Sequence, residues 1–262
     1  MASSSCDVRL APRLWVYTNF DCNLQCSYCC ARSGPRVERR SLSLPDHRRL
    51  IEEAVGCGIT EVYLTGGEPF LLPDIADRIR VSAERVSTTV LTNAMLFRGS
   101  RLTALESLAG VPVRFQVSID GPNAIAHDAV RGAGSWEKAV AGIRQLVGLG
   151  FSVSASTTET DHNGGLGDET QQFVASLGVD PEQHFIRPLA RRGYSERGMD
   201  VSAATLEPEV TVCRDGVFWH PLACEDDLLV SRRIFPFARA LGELHTLYHT
   251  VLKSGALPRP FR

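Results

Sequence analysis

Three cysteines stand close together in the stretch Cys22-Asn-Leu-Gln-Cys26-Ser-Tyr-Cys29. Thiolates at these offsets can reach one compact soft-metal centre. A cubane iron–sulfur cluster has four irons, so three thiolates leave one iron without a protein ligand and open to a small molecule. Two plainer readings compete. A structural zinc site would use the same thiols but normally takes four ligands, and clustered cysteines also serve as small buried hydrophobes.

The elements that must position this loop follow a regular alternation. Residues 13 to 19 are rich in aromatic and branched side chains and end at the cysteines, which reads as a first strand. Leu44-Pro45-Asp46 then opens a helix, with Leu50, Ile51, Ala54 and Val55 at helical spacing and Gly56 and Gly58 closing it. Further strands are expected at 60–64, 86–91, 113–119, 151–157 and 184–189, with helices at 74–84, 101–109, 135–149 and 168–177 between them. Six β-α alternations with largely apolar strands imply a parallel sheet covered by helices, which places the chain in the α/β class. The pattern alone leaves a doubly wound open sheet as an alternative to a barrel.

Reactive groups in parallel barrels gather at the carboxyl ends of strands. After the second strand comes Gly66-Gly67-Glu68-Pro69, after the third Thr92-Asn93, and after the fourth Ser118-Ile-Asp120-Gly-Pro122. Glycines permit close backbone approach, and short polar side chains can bond hydroxyls or a carboxylate. His127-Asp-Ala-Val-Arg131-Gly132 follows. On their own these stretches are also explained by a tight turn, an Asp-Gly-Pro turn and a solvated arginine.

Taken together, the cysteine spacing with its embedded Tyr28, the Gly-Gly-Glu-Pro run and the Ser-x-Asp-Gly…His-x3-Arg-Gly continuation resemble the radical S-adenosylmethionine (SAM) superfamily. The motifs are nearest the group carrying a SPASM or twitch extension. The resemblance implies a partial (β/α)6 TIM-like barrel of parallel strands. It implies a [4Fe–4S] cluster on Cys22, Cys26 and Cys29, and SAM held by Tyr28, Gly66, Gly67, Glu68, Pro69, Asn93, Ser118, Asp120 and Arg131. Tyr28 would pack near the adenine and the Gly-Gly-Glu-Pro loop would take the methionine amino group. Arg131, planar and always charged, would pair with the SAM carboxylate. Ile186-Arg187-Pro188-Leu189 and the Arg191-Arg192-Gly193-Tyr194 turn match the way the family closes its barrel.

Beyond residue 206 the rhythm changes, so the barrel is expected over 1–206 and a C-terminal extension over 207–262. Glu209 to Trp219 reads as a β-hairpin turning at Asp215-Gly216. Helical spacing follows at Leu241, Leu244, Tyr248 and Leu252. Related extensions hold additional clusters, but here only Cys213 and Cys224 remain, with His220-Pro221-Leu222 where relatives place a cysteine. Two cysteines cannot hold a four-iron cluster. Help from His220, Cys6, Cys57 or a second chain is one alternative to a degenerate extension that packs over the barrel. Cys30 and Cys57 read as small buried hydrophobes. His245 and His249 lie one helical turn apart, and an ordinary helix face explains them without a metal.

A net charge of -2 gives no electrostatic reason to expect nucleic acid or an anionic membrane as partner. No run reaches the ~18 apolar residues that span a bilayer, and residues 1–6 lack the basic start and apolar core of a signal peptide. A cytoplasmic protein with reduced thiols is therefore expected. The expected function is reductive cleavage of SAM and hydrogen abstraction from a natural-product intermediate, a small molecule or short peptide, with a reductase or flavodoxin-type electron donor. One alternative is an activating or maturing enzyme acting on a partner protein. Another is a non-catalytic iron–sulfur or zinc-binding protein.

Overall fold

The computed structural model describes residues 10–222 and 224–261. Its strands show why the sheet has two unlike faces. In β1 (Arg13–Asn19), Leu14 and Val16 are fully buried beneath the helices, whereas Arg13, Trp15 and Tyr17 face a central cavity. The same period of two runs through β2 (Glu61–Gly66) and β4 (Val113–Ser118). Val62 and Leu64, and Phe115 and Val117, enter the core, while Tyr63, Thr65, Arg114, Gln116 and Ser118 turn to the cavity. Strands apolar on both faces were the expectation. One face is polar instead because it lines a cavity rather than packing on helices.

With β3 (Ser87–Thr92), β5 (Ser152–Thr158) and β6 (His184–Arg187), six strands pair in parallel in the order β6-β5-β4-β3-β2-β1. Sequential order without a reversal excludes the doubly wound sheet, whose strand order switches partway. This is the partial TIM-like barrel. The crossovers are α1 (Leu44–Gly56), α2 (Ile75–Ala83), α3 (Ser100–Glu106), α4 (Ala124–Arg131), α5 (Ser135–Gly148) and α6 (Gly167–Ser176). Helix α1 begins where Ser43 accepts a hydrogen bond from Asp46 N–H at 3.1 Å, with Pro45 in the first turn. The sequence pattern did not reveal α4, which is short and follows an Asp-Gly-Pro stretch that reads as a turn.

The hairpin appears as β7 (Thr211–Cys213) and β8 (Gly216–Phe218), followed by β9 (Leu229–Ser231). Strand β7 pairs in parallel with β1, so the tail extends the barrel sheet at its β1 edge. Helix α7 (Phe237–Lys253) buries Phe237, Ala240, Leu244 and Tyr248, and Phe237 N–H donates to Glu53 Oε2 of α1 at 2.6 Å. Trp219, fully buried, stands edge-on to Tyr248 and donates through Nε1 to Leu206 O at 2.8 Å. Tail and barrel thus share one core, in which Val212, Trp219 and Leu244 belong to the same packed cluster as Val16 and Leu50. Among the described residues no helix is long and apolar enough to cross a membrane.

Candidate active site

The cysteine loop and the Gly-Gly-Glu-Pro loop are built against each other. Gly67 N–H donates to Asn19 O at 2.9 Å and Glu68 N–H to Asp21 O at 3.0 Å, while Asn19 Nδ2 donates to Glu68 O at 3.0 Å. A Cβ on Gly66 would stand 2.3 Å from Asn19 O, and one on Gly67 would stand 2.0 Å from Asp21 O. Only glycine fits here, and what it admits is the chain's own backbone at the root of the cysteine loop.

The Glu68 side chain points inward. It is buried, with Oε1 accepting from Phe70 N–H at 3.1 Å and Thr92 Oγ1 at 2.8 Å, and Oε2 accepting from Asn93 N–H at 2.8 Å. Burial raises its pKa, against the opposing pull of these donors and Arg131. Asn93 in turn donates to Asn23 Oδ1 at 2.9 Å and reaches Cys22 Sγ at 3.9 Å. A chain of contacts therefore links β2, β3 and the first cysteine.

A second network fixes the other side of the loop. Arg131 donates from Nε to Asp120 Oδ2 at 2.5 Å and from Nη2 to Tyr28 OH, which itself donates to Asp120 Oδ2 at 2.5 Å. Thr158 N–H occupies Asp120 Oδ1 at 2.9 Å, and Asp120 N–H donates to His127 Nδ1 at 3.0 Å. Burial raises the Tyr28 phenol well above its usual value, with Arg131 opposing and Asp120 adding to it, so Tyr28 stays neutral.

Cys22, Cys26, Cys29, Tyr28, Gly66, Gly67, Asn93, Ser118 and Arg131 all line one cavity of about 690 Å³. Of the expected site residues, Glu68, Pro69 and Asp120 do not line it. They are buried behind it, where Glu68 and Asp120 hold the residues that do. Burial pushes the Cys22 thiol up to about 12, helped by Glu68, and also raises Cys26, with Arg131 pulling the other way.

This donor set fits a four-iron cluster. Leu24 N–H points at Cys22 Sγ and Ser33 N–H at Cys29 Sγ, each at 3.4 Å, in the manner of amides that support ligating sulfur. Among the described residues no three His, Cys, Asp or Glu side chains converge tightly enough to hold a single metal ion. Three sulfurs around a shared space suit a body larger than one ion. Burial pushes the Cys224 thiol well above its usual value, with Cys213 and Cys30 adding to it, while Asp215 N–H donates to Cys213 Sγ at 3.3 Å. Cys30, read as a plain buried thiol, in fact lines the cavity. Cys6 lies outside the described residues. His245 is partly buried and His249 exposed on α7.

Sequence reasoning passed over Gly193 as a support. At φ +64° its backbone lies so close to the cysteine loop that a Cβ would stand 2.1 Å from Cys29 O, and the next residue, Tyr194, donates its N–H to that oxygen at 3.1 Å. The Arg-Arg-Gly-Tyr turn was visible, but its partner lies some 160 residues away.

The family model of the radical SAM superfamily matches residues 16–177. The chain belongs to that superfamily. It is 32% identical over 201 residues to the AdoMet-dependent heme synthase of Methanosarcina barkeri, covering 75% of this chain and 56% of that protein. It is 32% identical over 189 residues to the mycofactocin maturase MftC of Mycobacterium ulcerans, covering 71% of this chain and 48% of that one. The chain thus spans about half the length of these curated relatives. In fold it resembles Streptococcus suis SuiB bound to S-adenosylmethionine, with TM-score 0.61 and 20% identity over 73% of this chain and 44% of SuiB. It also resembles anSMEcpe with bound AdoMet and a peptide, with TM-score 0.65 and 12% identity over 91% and 83% of the two chains. The superfamily uses a [4Fe–4S] cluster and SAM.

Proposed function

We propose that this chain is a radical SAM enzyme acting on a natural-product intermediate, either a small molecule or a short peptide. The observation that carries the reading is the convergence of three cysteine thiols, the Tyr28–Asp120–Arg131 network and the Gly66–Gly67 loop on one cavity at the carboxyl ends of the strands. When bound, the cluster supplies the electron that cleaves SAM to methionine and the 5′-deoxyadenosyl radical that takes a hydrogen atom from substrate.

The chain's own residues hold and orient. Cys22, Cys26 and Cys29 grip the cluster, and the backbone of Gly66 and Gly67 borders the methionine end of SAM. Arg131 meets the SAM carboxylate, held in place by Asp120. Tyr28, Asn93 and Ser118 frame the nucleoside, while Glu68 and Pro69 keep the loop in shape. The barrel wall and the tail over residues 207–262 keep water and stray hydrogen donors from the reacting carbon. A reductase or flavodoxin-type protein delivers the electron.

A peptide substrate is supported by two of the similar proteins, since MftC is a maturase and SuiB has been crystallised with its precursor peptide SuiA. The β6 edge supports the same choice, because Phe185 and Ile186 there are exposed at the cavity wall. The test is anaerobic reconstitution with iron and sulfide, then assay of SAM cleavage with a chemical reductant. About four irons per chain with 5′-deoxyadenosine as product supports the reading. One zinc per chain and no 5′-deoxyadenosine contradicts it.

A further inference from the structure

Part of the cavity wall carries polar groups that cluster and SAM leave unused. Four arginines line the cavity, Arg13, Arg114, Arg131 and Arg187, against one carboxylate, Glu209. Arg13 is met by Glu61 at 3.2 Å and Glu209 at 3.8 Å, and Arg131 by Asp120. Arg114 and Arg187 have no ion-pair partner among the described residues. Arg114 is exposed at the start of β4, whereas Arg187, at the end of β6, is partly buried. Burial disfavours the Arg187 charge and Glu209 offsets this only in part; the Glu209 carboxylate itself accepts from Trp15 Nε1–H at 2.6 Å.

His220 adds a donor. It is buried, lines the same cavity, and accepts a hydrogen bond on Nδ1 from Leu222 N–H at 3.2 Å, which puts its proton on Nε2. That Nε2–H has no acceptor among the described residues. Burial lowers the His220 pKa, with the Arg187 and Arg192 charges adding to it, so the imidazole is neutral. Gln116, buried on β4 and lining the cavity, has its Oε1 unpartnered among the described residues. A half-dehydrated cation and an unused N–H donor on the wall of one cavity are costly unless something brought into the cavity carries the complementary charge. Around them the wall is apolar: Trp15 stacks on Tyr63 at 4.4 Å, and Phe261 stands edge-on to His220 at 6.4 Å.

We infer that Arg187 and His220 bind a carboxylate of the substrate, with its apolar or aromatic body against Trp15, Tyr63 and Phe261. This deepens the radical SAM reading and rests on it, because it names the chemistry of the molecule that shares the cavity with SAM. A guanidinium fork and a neutral imidazole N–H together match the two oxygens of a carboxylate. Gln116 Oε1 is left to accept an N–H or O–H from the same molecule. The carboxylate comes from a free organic acid or from the end of a peptide.

The experiment uses cluster-loaded protein, kept oxidised so that nothing turns over and saturated with SAM so that the Arg131 end is filled. Calorimetric titration compares 3-phenylpropionate with 3-phenylpropionamide, and a short apolar peptide with a free carboxyl terminus with its amidated form. The acid of at least one pair binds about tenfold or more tightly than its amide. Arg187→Gln removes that preference and Arg187→Lys keeps part of it. Tighter binding of the peptide acid than of the small acid identifies a peptide terminus as the source, and the reverse identifies a free acid.

Equal binding of acid and amide in both pairs, no binding of any of the four, or a preference that survives Arg187→Gln overturns the inference. The comparison on the unsubstituted protein decides even if the variants fail to fold. The underlying radical SAM reading fails separately, by the absence of 5′-deoxyadenosine when the reduced protein is given SAM alone.

Discussion

Glu68 accepts the backbone N–H of Asn93 at 2.8 Å from a fully buried position, and so ties the loop after β2 to the loop after β3. Glu68→Ala orphans that N–H, the Phe70 N–H and the Thr92 hydroxyl, and is expected to destabilise the fold by about 3 kcal/mol. Glu68→Gln keeps one acceptor and loses less. Denaturant melts of both variants check this, and an alanine variant as stable as the parent would contradict the role.

The close approach of glycine to the cysteine loop makes a second, steric prediction. Gly67→Ala and Gly193→Ala force a methyl onto Asp21 O and Cys29 O. Each is expected to cost about 1–3 kcal/mol and to lower the iron bound per chain on reconstitution. Gly56→Ala is the control, since nothing lies within 4 Å of a Cβ there and helix α1 should gain slightly. Full iron loading in both loop variants would contradict the packing argument.

Asp120 acts on the cofactor site through Arg131 and Tyr28. Asp120→Asn removes the charge that holds both, and weakens SAM binding by about tenfold, or roughly 1.4 kcal/mol. Equilibrium SAM binding to the cluster-loaded variant is the readout. Unchanged affinity would show that Arg131 needs no partner to be placed.

Stability should fall on mild acidification. His47 is held neutral by burial, with the Arg78 charge adding to it, and its pKa drops to about 4. His127 drops to about 4 by burial and Arg131, and His220 to about 3 by burial and Arg187. In the unfolded chain each returns to its ordinary value near 6.5. From pH 6.5 down to 5 the unfolded state therefore takes up protons that the folded state refuses. Each histidine then subtracts up to about 1.4 kcal/mol per pH unit. The His184 pKa is lowered by burial as well, so anaerobic urea melts across this window should show the decline, and His47→Gln should flatten part of it. A flat profile would contradict the assignment of neutral buried histidines.

Much of the barrel was legible because it is written locally. Apolar runs at strand spacing gave β1 to β5 to within two residues at either end, and Leu50, Ile51 and Ala54 gave α1. The cysteines and the loops after β2, β3 and β4 were legible because short motifs carry them. Contacts between distant parts of the chain were not. Glu68 turning inward toward Asn93, Gly193 pressing on Cys29, β7 joining β1, and His220 with Arg187 sharing a cavity wall all depend on tertiary placement. Alternation in β4 could have flagged Arg114, Gln116 and Ser118 as one inward face, had its polar residues been read as lining a cavity.

The most direct test of the central claim compares the parent chain with Cys26→Ala after anaerobic reconstitution, scoring iron, sulfide and SAM cleavage together. The parent should carry about four irons per chain and convert SAM to 5′-deoxyadenosine and methionine when reduced, and Cys26→Ala should lose both. A parent that binds a single zinc, or a cysteine variant that still cleaves SAM, would contradict a three-thiol cluster with one iron left open.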